Sequence, residues 1–138
     1  MVIIDTSVWL FALKKKHHTV IKDKVNNVLI ESEVAINGII KLELLGGAKT
    51  KKEYERLKNR LDALYYIEAT WLLWDHASKI AFDLRRKGIT VPFTDVFIAS
   101  SAITENALLI HADSHFDLIA KHSDLNVESL LSIIKKKI

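Results

Sequence analysis

Three short apolar runs, Val2 to Ile4, Val34 to Ile36 and Leu108 to Ile110, are each followed closely by residues with helical periodicity. That alternation constrains the fold more than any other feature of the chain. A run this short, with no polar residue inside it, suits a strand covered on both faces, as in a parallel sheet. Strands separated by helices then predict an α/β fold, three-layer α/β/α, with a central, mainly parallel sheet of four or five strands.

The intervening segments fit that scheme. Thr6 or Ser7 is positioned to cap a helix through Leu13, and a soluble turn spans Lys14 to His18. Thr19 to Glu31 reads as a helix with Val20, Val25, Val28 and Leu29 on one face. Ile39 to Leu45 is a helix stopped by Gly46-Gly47, and Lys49 to Leu64 an amphipathic one with Tyr54, Leu57, Leu61 and Leu64 on its seam. Tyr65 to Glu68 is a short strand, and Trp71 to Arg86 a long helix closed by Gly88. Thr94 is the expected cap of a helix from Asp95 to about Asn106. Phe116 to Ala120 forms a short helix, and Leu125 to Val127 a last strand before a C-terminal helix.

Composition narrows the class. The chain has 138 residues, which predicts one domain over residues 1–138. It contains no cysteine, which excludes disulfide scaffolds, thiolate zinc sites and thiol catalysis. No run of about 18 apolar residues is long enough to span a membrane. The opening Met1-Val2-Ile3-Ile4-Asp5 lacks the basic start of a signal peptide, so a cytoplasmic location and no membrane partner are expected. The Lys135-Lys136-Lys137 tail reads as solvated.

In open α/β sheets, ligands bind beyond the carboxyl ends of the strands, where the strand order switches. Asp5 follows the first strand directly, and Asp113 follows Leu108 to Ile110 after two intervening residues. Asp95 lies in the first turn of a helix, where the macrodipole favours a carboxylate. Each alone could be a turn, a cap or a helix-start acid. Glu43, in Ile39-Ile40-Lys41-Leu42-Glu43-Leu44-Leu45, is a carboxylate among apolar residues and must face a cleft, a partner or a metal. Four acids at one end of one sheet would repel unless a divalent cation neutralised them. Oxygen donors without cysteine favour Mg²⁺ or Mn²⁺.

His111, Asp113 and His115 alternate, so an extended backbone would aim all three to one side, as in a Mn²⁺ or Zn²⁺ site. The competing expectation is that His111 ends a strand while His115 caps or packs beside Phe116. His17, His18, His76 and His122 have no partner at ligand spacing. Lys49, Lys51, Lys52, Arg56, Lys58 and Arg60, interrupted by Glu53 and Glu55, read as a solvated helix face. Arg85-Arg86-Lys87 suits either a helix C-terminus or phosphate contact. Trp9, Trp71 and Trp74 read as core or interface residues.

The segments IDTSVWL, KLELLGGA, PFTDVFIASSA and LLIHADSHFDLIA resemble, in order, the four motifs of PIN domains, most closely the VapC toxins of toxin–antitoxin pairs. The resemblance covers residue 2 to about residue 120. It implies that Asp5, Glu43, Asp95 and Asp113 are the family's acidic residues, with Thr6 and Ser7 in the hydroxyl positions. Two positions depart from the pattern: His111 stands where many relatives have Thr, and His115 where many have a further acid. Asp117 is a possible substitute for that acid, read here as lying outside the ligand set.

The resemblance implies a metal-dependent ribonuclease. One or two Mg²⁺ ions, with Mn²⁺ as a second choice, would be held by Asp5, Asp95 and Asp113, with Glu43 direct or through water. Ser7 is the expected nearer polar partner. It also implies an RNA substrate (tRNA, rRNA or mRNA), a cognate antitoxin protein over the acidic cleft, and a homodimer, with the Tyr54/Leu57/Leu61 seam as a suggestive surface. The rivals are a housekeeping PIN nuclease of RNA maturation, an inactive RNA- or protein-binding PIN module, and a phospho-acceptor receiver domain. The last wants its acids paired early in the chain, whereas these spread from residue 5 to residue 113.

The formal net charge is +3, from 20 basic and 17 acidic residues. With four acids committed to metal, 13 remain free against 20 bases, a surplus of seven. That pairs a concentrated negative site with a positive surround, as a polyanion-cutting enzyme needs.

Overall fold

A computed structural model of the protein describes residues 1–13 and 18–135. Residues 14–17 of the expected turn, His17 among them, and most of the basic tail lie outside the described residues. The chain runs β1 (Val2–Ile4), α1 (Thr6–Ala12), α2 (Thr19–Glu31), β2 (Val34–Asn37), α3 (Gly38–Gly46), α4 (Lys51–Asp62), β3 (Tyr65–Ile67), α5 (Trp71–Arg86), α6 (Phe93–Thr104), β4 (Leu108–His111), α7 (Ser114–Lys121), β5 (Asn126–Ser129) and α8 (Leu131–Lys135). The five strands form one sheet in the order β3-β2-β1-β4-β5, and every pairing is parallel. The expected three-layer α/β/α architecture is therefore present.

Strand composition follows sheet position. Central β1 is buried throughout, whereas edge strand β3 leaves Tyr65 and Tyr66 exposed and closes with buried Ile67. Ile3, Ile4, Ile36 and Leu109 are sealed from solvent, together with Ile98, Ala99, Phe116 and Ile119 from the helices. Each such aliphatic side chain contributes about 1.5–3 kcal/mol through burial. The chain lays β2 and β3 on one side of β1, then returns to lay β4 and β5 on the other. The strand order reverses between β1 and β4, which is where this class of sheet opens a crevice.

Several local boundaries differ from the sequence expectation, each for a physical reason. Asp5, rather than Thr6 or Ser7, caps α1: its backbone is extended and its carboxylate accepts the Ser7 N–H. The cap of α6 is Pro92, not Thr94, because the extended Pro92 offers its carbonyl to the Asp95 and Val96 N–H groups. Asp95 remains in the first turn. Helix α7 starts at Ser114, ahead of Phe116, because Asp113 caps it. The last strand is shifted to Asn126–Ser129 by its pairing with all of β4. Gly88, at φ 77°, ends α5 as expected, and the N–H of Ile89 closes back on Leu84 O at 2.9 Å.

Side-chain placement brings further corrections. Ile21, not Val20, joins Val25 and Val28 in the core, while Val20 is exposed. Leu57 and Leu61 of the suggested partner seam are buried in this chain's own core, so they offer no docking surface. Trp9 is core, whereas Trp71 and Trp74 are exposed. No helix among the described residues is long and apolar enough to cross a membrane.

Candidate active site

The crevice at the switch point is built from the ends of β1 and β4 and the starts of α6 and α7. The β1–β4 ladder continues past the strand, with Asp5 N–H donating to Ile110 O at 2.9 Å. That bond carries Asp5 to the carboxyl edge of the sheet, where its side chain is almost fully buried. One oxygen, Oδ2, accepts from both the Ser7 hydroxyl at 2.6 Å and the Ser7 N–H at 3.0 Å. Burial raises the Asp5 pKa; the Ser7 bonds oppose this, and the nearby Asp113 charge adds to it. The Ser7 hydroxyl also accepts the Ala112 N–H at 3.0 Å. It thus joins the start of α1 to the loop that carries Asp113, and it is the expected polar partner of Asp5.

Asp95 reaches the same place from α6. Burial pushes its pKa up to about 6, partly offset by a hydrogen bond from His115, and Asp113 and Asp5 push it further up. Asp113 caps α7 by accepting the His115 N–H at 2.9 Å. The His115 ring turns back across the crevice, its Nδ1 lying 3.0 Å from Asp95 Oδ2 and 3.3 Å from Asp113 Oδ1. Asp95, Asp113 and His115 each offer a donor atom within 4.8 Å of the others. The expectation that His115 caps or packs beside Phe116 is therefore corrected, since the ring faces the acids.

His111 behaves differently. It ends β4, is fully buried, and packs against Phe116 at 5.4 Å between ring centroids. Its Nδ1 accepts the Asp113 N–H at 3.1 Å, so Nε2 carries the hydrogen and donates to Asp117 Oδ1 at 3.1 Å. His111, Asp113 and His115 are thus not aimed together, because α7 begins between the second and third. Asp117 is committed to His111 and stays out of the acidic group. His111→Ala leaves a cavity and an unpaired Asp113 N–H, and is expected to cost about 2–4 kcal/mol in urea unfolding.

Glu43 is exposed, not packed among leucines, and its Oε1 accepts the Thr6 hydroxyl at 2.9 Å. Helix α3 projects it from the end of β2, beside Asp5's own helix. Fully buried Asn37 orients that helix: its side-chain oxygen caps Ile40 N–H at 2.9 Å, and its nitrogen donates to Ser101 of α6 at 3.1 Å. Asn37 therefore ties the Glu43 helix to the Asp95 helix. Sequence reading missed it, although an Asn closing an apolar strand before Gly38 is a recognisable capping signal. It also missed His76, whose Nδ1 lies 2.5 Å from Ser100 Oγ.

The donor set fits a divalent cation. Asp113 opposes the ionisation of Asp5, and Asp113 and Asp5 together oppose that of Asp95, adding to burial at both. Buried carboxylates in that relation are stabilised by a cation and strained without one.

A family model described as the PIN domain matches residues 2–122. Ribonuclease VapC11 of Mycobacterium tuberculosis is 33% identical over 135 residues, covering 94% of this chain and 98% of the relative. The structure of VapBC2 from Rickettsia felis, bound to a DNA fragment from its promoter, superimposes with a TM-score of 0.77 at 25% identity, covering 94% and 98% of the two chains. VapBC-5 of Mycobacterium tuberculosis, described as a member of a family of toxin–antitoxin systems, shares the fold with a TM-score of 0.60 at 18% identity, over 93% and 95%. With that model spanning residues 2–122 and the sequence match covering 94% of the chain, the chain belongs to the PIN domain family.

Proposed function

We propose that this chain is a divalent-metal-dependent endoribonuclease, a single PIN-like domain over residues 1–138, and the toxin of a toxin–antitoxin pair. The observation that carries this reading is the convergence of Asp5, Asp95 and Asp113 at the β1/β4 switch point, where burial and the neighbouring carboxylates oppose the ionisation of Asp5 and Asp95. Asp5, Asp95 and Asp113 hold the cation, and Glu43 joins them directly or through water. Judged on the carboxylates alone, Mg²⁺ is the first choice, with Mn²⁺ as the alternative. When bound, such an ion polarises a scissile phosphate and lowers the pKa of a water.

The chain's own residues do the rest. Ser7 fixes the Asp5 carboxylate from one side and leaves Oδ1 clear of that pair of bonds. Thr6 holds the exposed Glu43 carboxylate in one orientation, suited to accept a proton from a water entering the crevice. Exposed Lys51, Lys52 and Arg56 of α4, and Arg85, Arg86 and Lys87 at the end of α5, supply positive charge for a polyanionic backbone. Thr6→Val is expected to lower kcat about tenfold by freeing Glu43. Its stability should change by less than about 0.5 kcal/mol, because the lost bond lies at the surface.

The name of the relative VapC11 supports RNA as the substrate class, with tRNA, rRNA and mRNA as candidates. The two-component VapBC neighbours support a cognate antitoxin as partner. Exposed Trp71 and Trp74 give apolar surface for that antitoxin or for a second copy in a homodimer. A cytoplasmic setting suits both. The test is incubation with purified tRNA and rRNA in Mg²⁺, in Mn²⁺ and in chelator, with Asp95→Asn run in parallel. Discrete products that need both metal and Asp95 support the reading; products that persist in chelator or in the variant overturn it. Growth arrest on expression, relieved by Asp5→Asn, separates the toxin from a housekeeping nuclease.

A further inference from the structure

Among the described residues, His115 joins Asp95 and Asp113 in a group that could hold a metal ion, and its placement is specific. Its backbone N–H and its ring both address Asp113, and the ring alone reaches on to Asp95. Two donors each ~2.1 Å from one ion and at right angles lie ~3 Å apart. The 3.0 and 3.3 Å separations of His115 Nδ1 from its two carboxylate neighbours match that spacing. Its backbone is anchored: α7 is capped by Asp113, and the next residue, Phe116, is sealed in the core. That fixes the backbone from which the half-exposed ring reaches the two acids.

From this geometry we infer that His115 ligates the cation through Nδ1, making a mixed carboxylate–imidazole centre that selects a first-row transition ion such as Mn²⁺ over Mg²⁺. The inference rests on the metal-dependent reading above and deepens it. Mg²⁺ is small and hard, prefers oxygen donors and dehydrates reluctantly, so an imidazole among its donors gains it little. Transition ions accept imidazole more readily than Mg²⁺ does, so a site that adds one imidazole to its carboxylates favours them. The rival role for His115 is that of a cationic counter-charge to the acids, which an incoming metal would displace. That role predicts no nitrogen bound to the metal.

The experiment loads the metal-free protein with Mn²⁺ at or below one equivalent and records its electron spin echo envelope modulation. Competition titrations with Mg²⁺ then measure selectivity. The expected result is ¹⁴N modulation from one imidazole, which changes to the ¹⁵N pattern on labelling histidine. In His115→Asp, Mn²⁺ should remain bound without nitrogen modulation, and the Mn²⁺-over-Mg²⁺ preference should fall about tenfold or more. His115→Ala should weaken Mn²⁺ about tenfold and Mg²⁺ much less, with an unchanged circular dichroism spectrum. If Mn²⁺ binds, needs Asp95, and shows no nitrogen coupling, or if His115→Asp keeps the wild-type selectivity, the inference falls and the nuclease reading stands. If Mn²⁺ does not bind the wild-type protein at all, both fall.

Discussion

Asp5→Asn is expected to lower RNA cleavage at least 10³-fold while leaving the fold intact. Asparagine keeps the shape of the side chain and an oxygen that can accept both Ser7 bonds, so the cap of α1 survives. What disappears is a buried negative charge whose ionisation burial opposes. The metal-free variant should therefore melt at or above the wild-type temperature, by up to ~3 °C. Added Mn²⁺ should raise the wild-type Tm and leave that of the variant nearly unchanged. Thermal melts with and without metal, beside a cleavage assay, read both effects. Full activity in the variant would remove Asp5 from the machinery. A collapse of Tm would make it a structural residue.

The second large effect concerns Asp95 and pH. Its folded pKa is raised to about 6 from an ordinary 3.8, so between those values the native protein holds a proton that the unfolded chain has released. Folding is then favoured at the acid side of that window. The contribution of Asp95 to metal-free stability falls as pH rises from 4 to 6 and is level above that. Asp95→Asn abolishes this slope, so the stability of the variant relative to wild type should grow across the window in chelator. With saturating Mn²⁺ the order should reverse, because a cation favours the ionised carboxylate. Metal affinity should correspondingly weaken by ~tenfold per unit as pH drops below 6. Urea titrations at half-unit steps, with metal and with chelator, test all three statements. A wild-type-like slope in the variant would show that another group carries the effect.

The site was legible where it depends on position along one element. Asp5 and Asp113 stand just past apolar strands, and Asp95 stands in a helix's first turn, so local patterning points to each. Their mutual arrangement was not legible in the same way. The Thr6–Glu43 bond spans 37 residues and the Asn37–Ser101 bond 64, and both depend on which strands become neighbours. Local periodicity carries no information about that order. The histidines illustrate the same limit. Alternation at 111, 113 and 115 predicts a common side only while the backbone stays extended, and the capping of α7 by Asp113 turns the third away from the first. The Tyr54, Leu57 and Leu61 seam had the right period. Which surface it covers was decided by tertiary packing.

The parallel pairing of β1 with β4, Val2 opposite Leu108 and Ile4 opposite Ile110, has a consequence for synthesis of the protein. Asp5 is made 90 residues before Asp95 and 108 residues before Asp113, its neighbours in the crevice. No local hairpin can bring them together sooner, because parallel neighbours need a crossover. A chain truncated before β4 holds Asp5, Glu43 and, if long enough, Asp95, but it has neither the β4 side of the crevice nor Asp113. On the proposed reading, a copy truncated there lacks the assembled crevice and cannot cut RNA before β4 and Asp113 have been made.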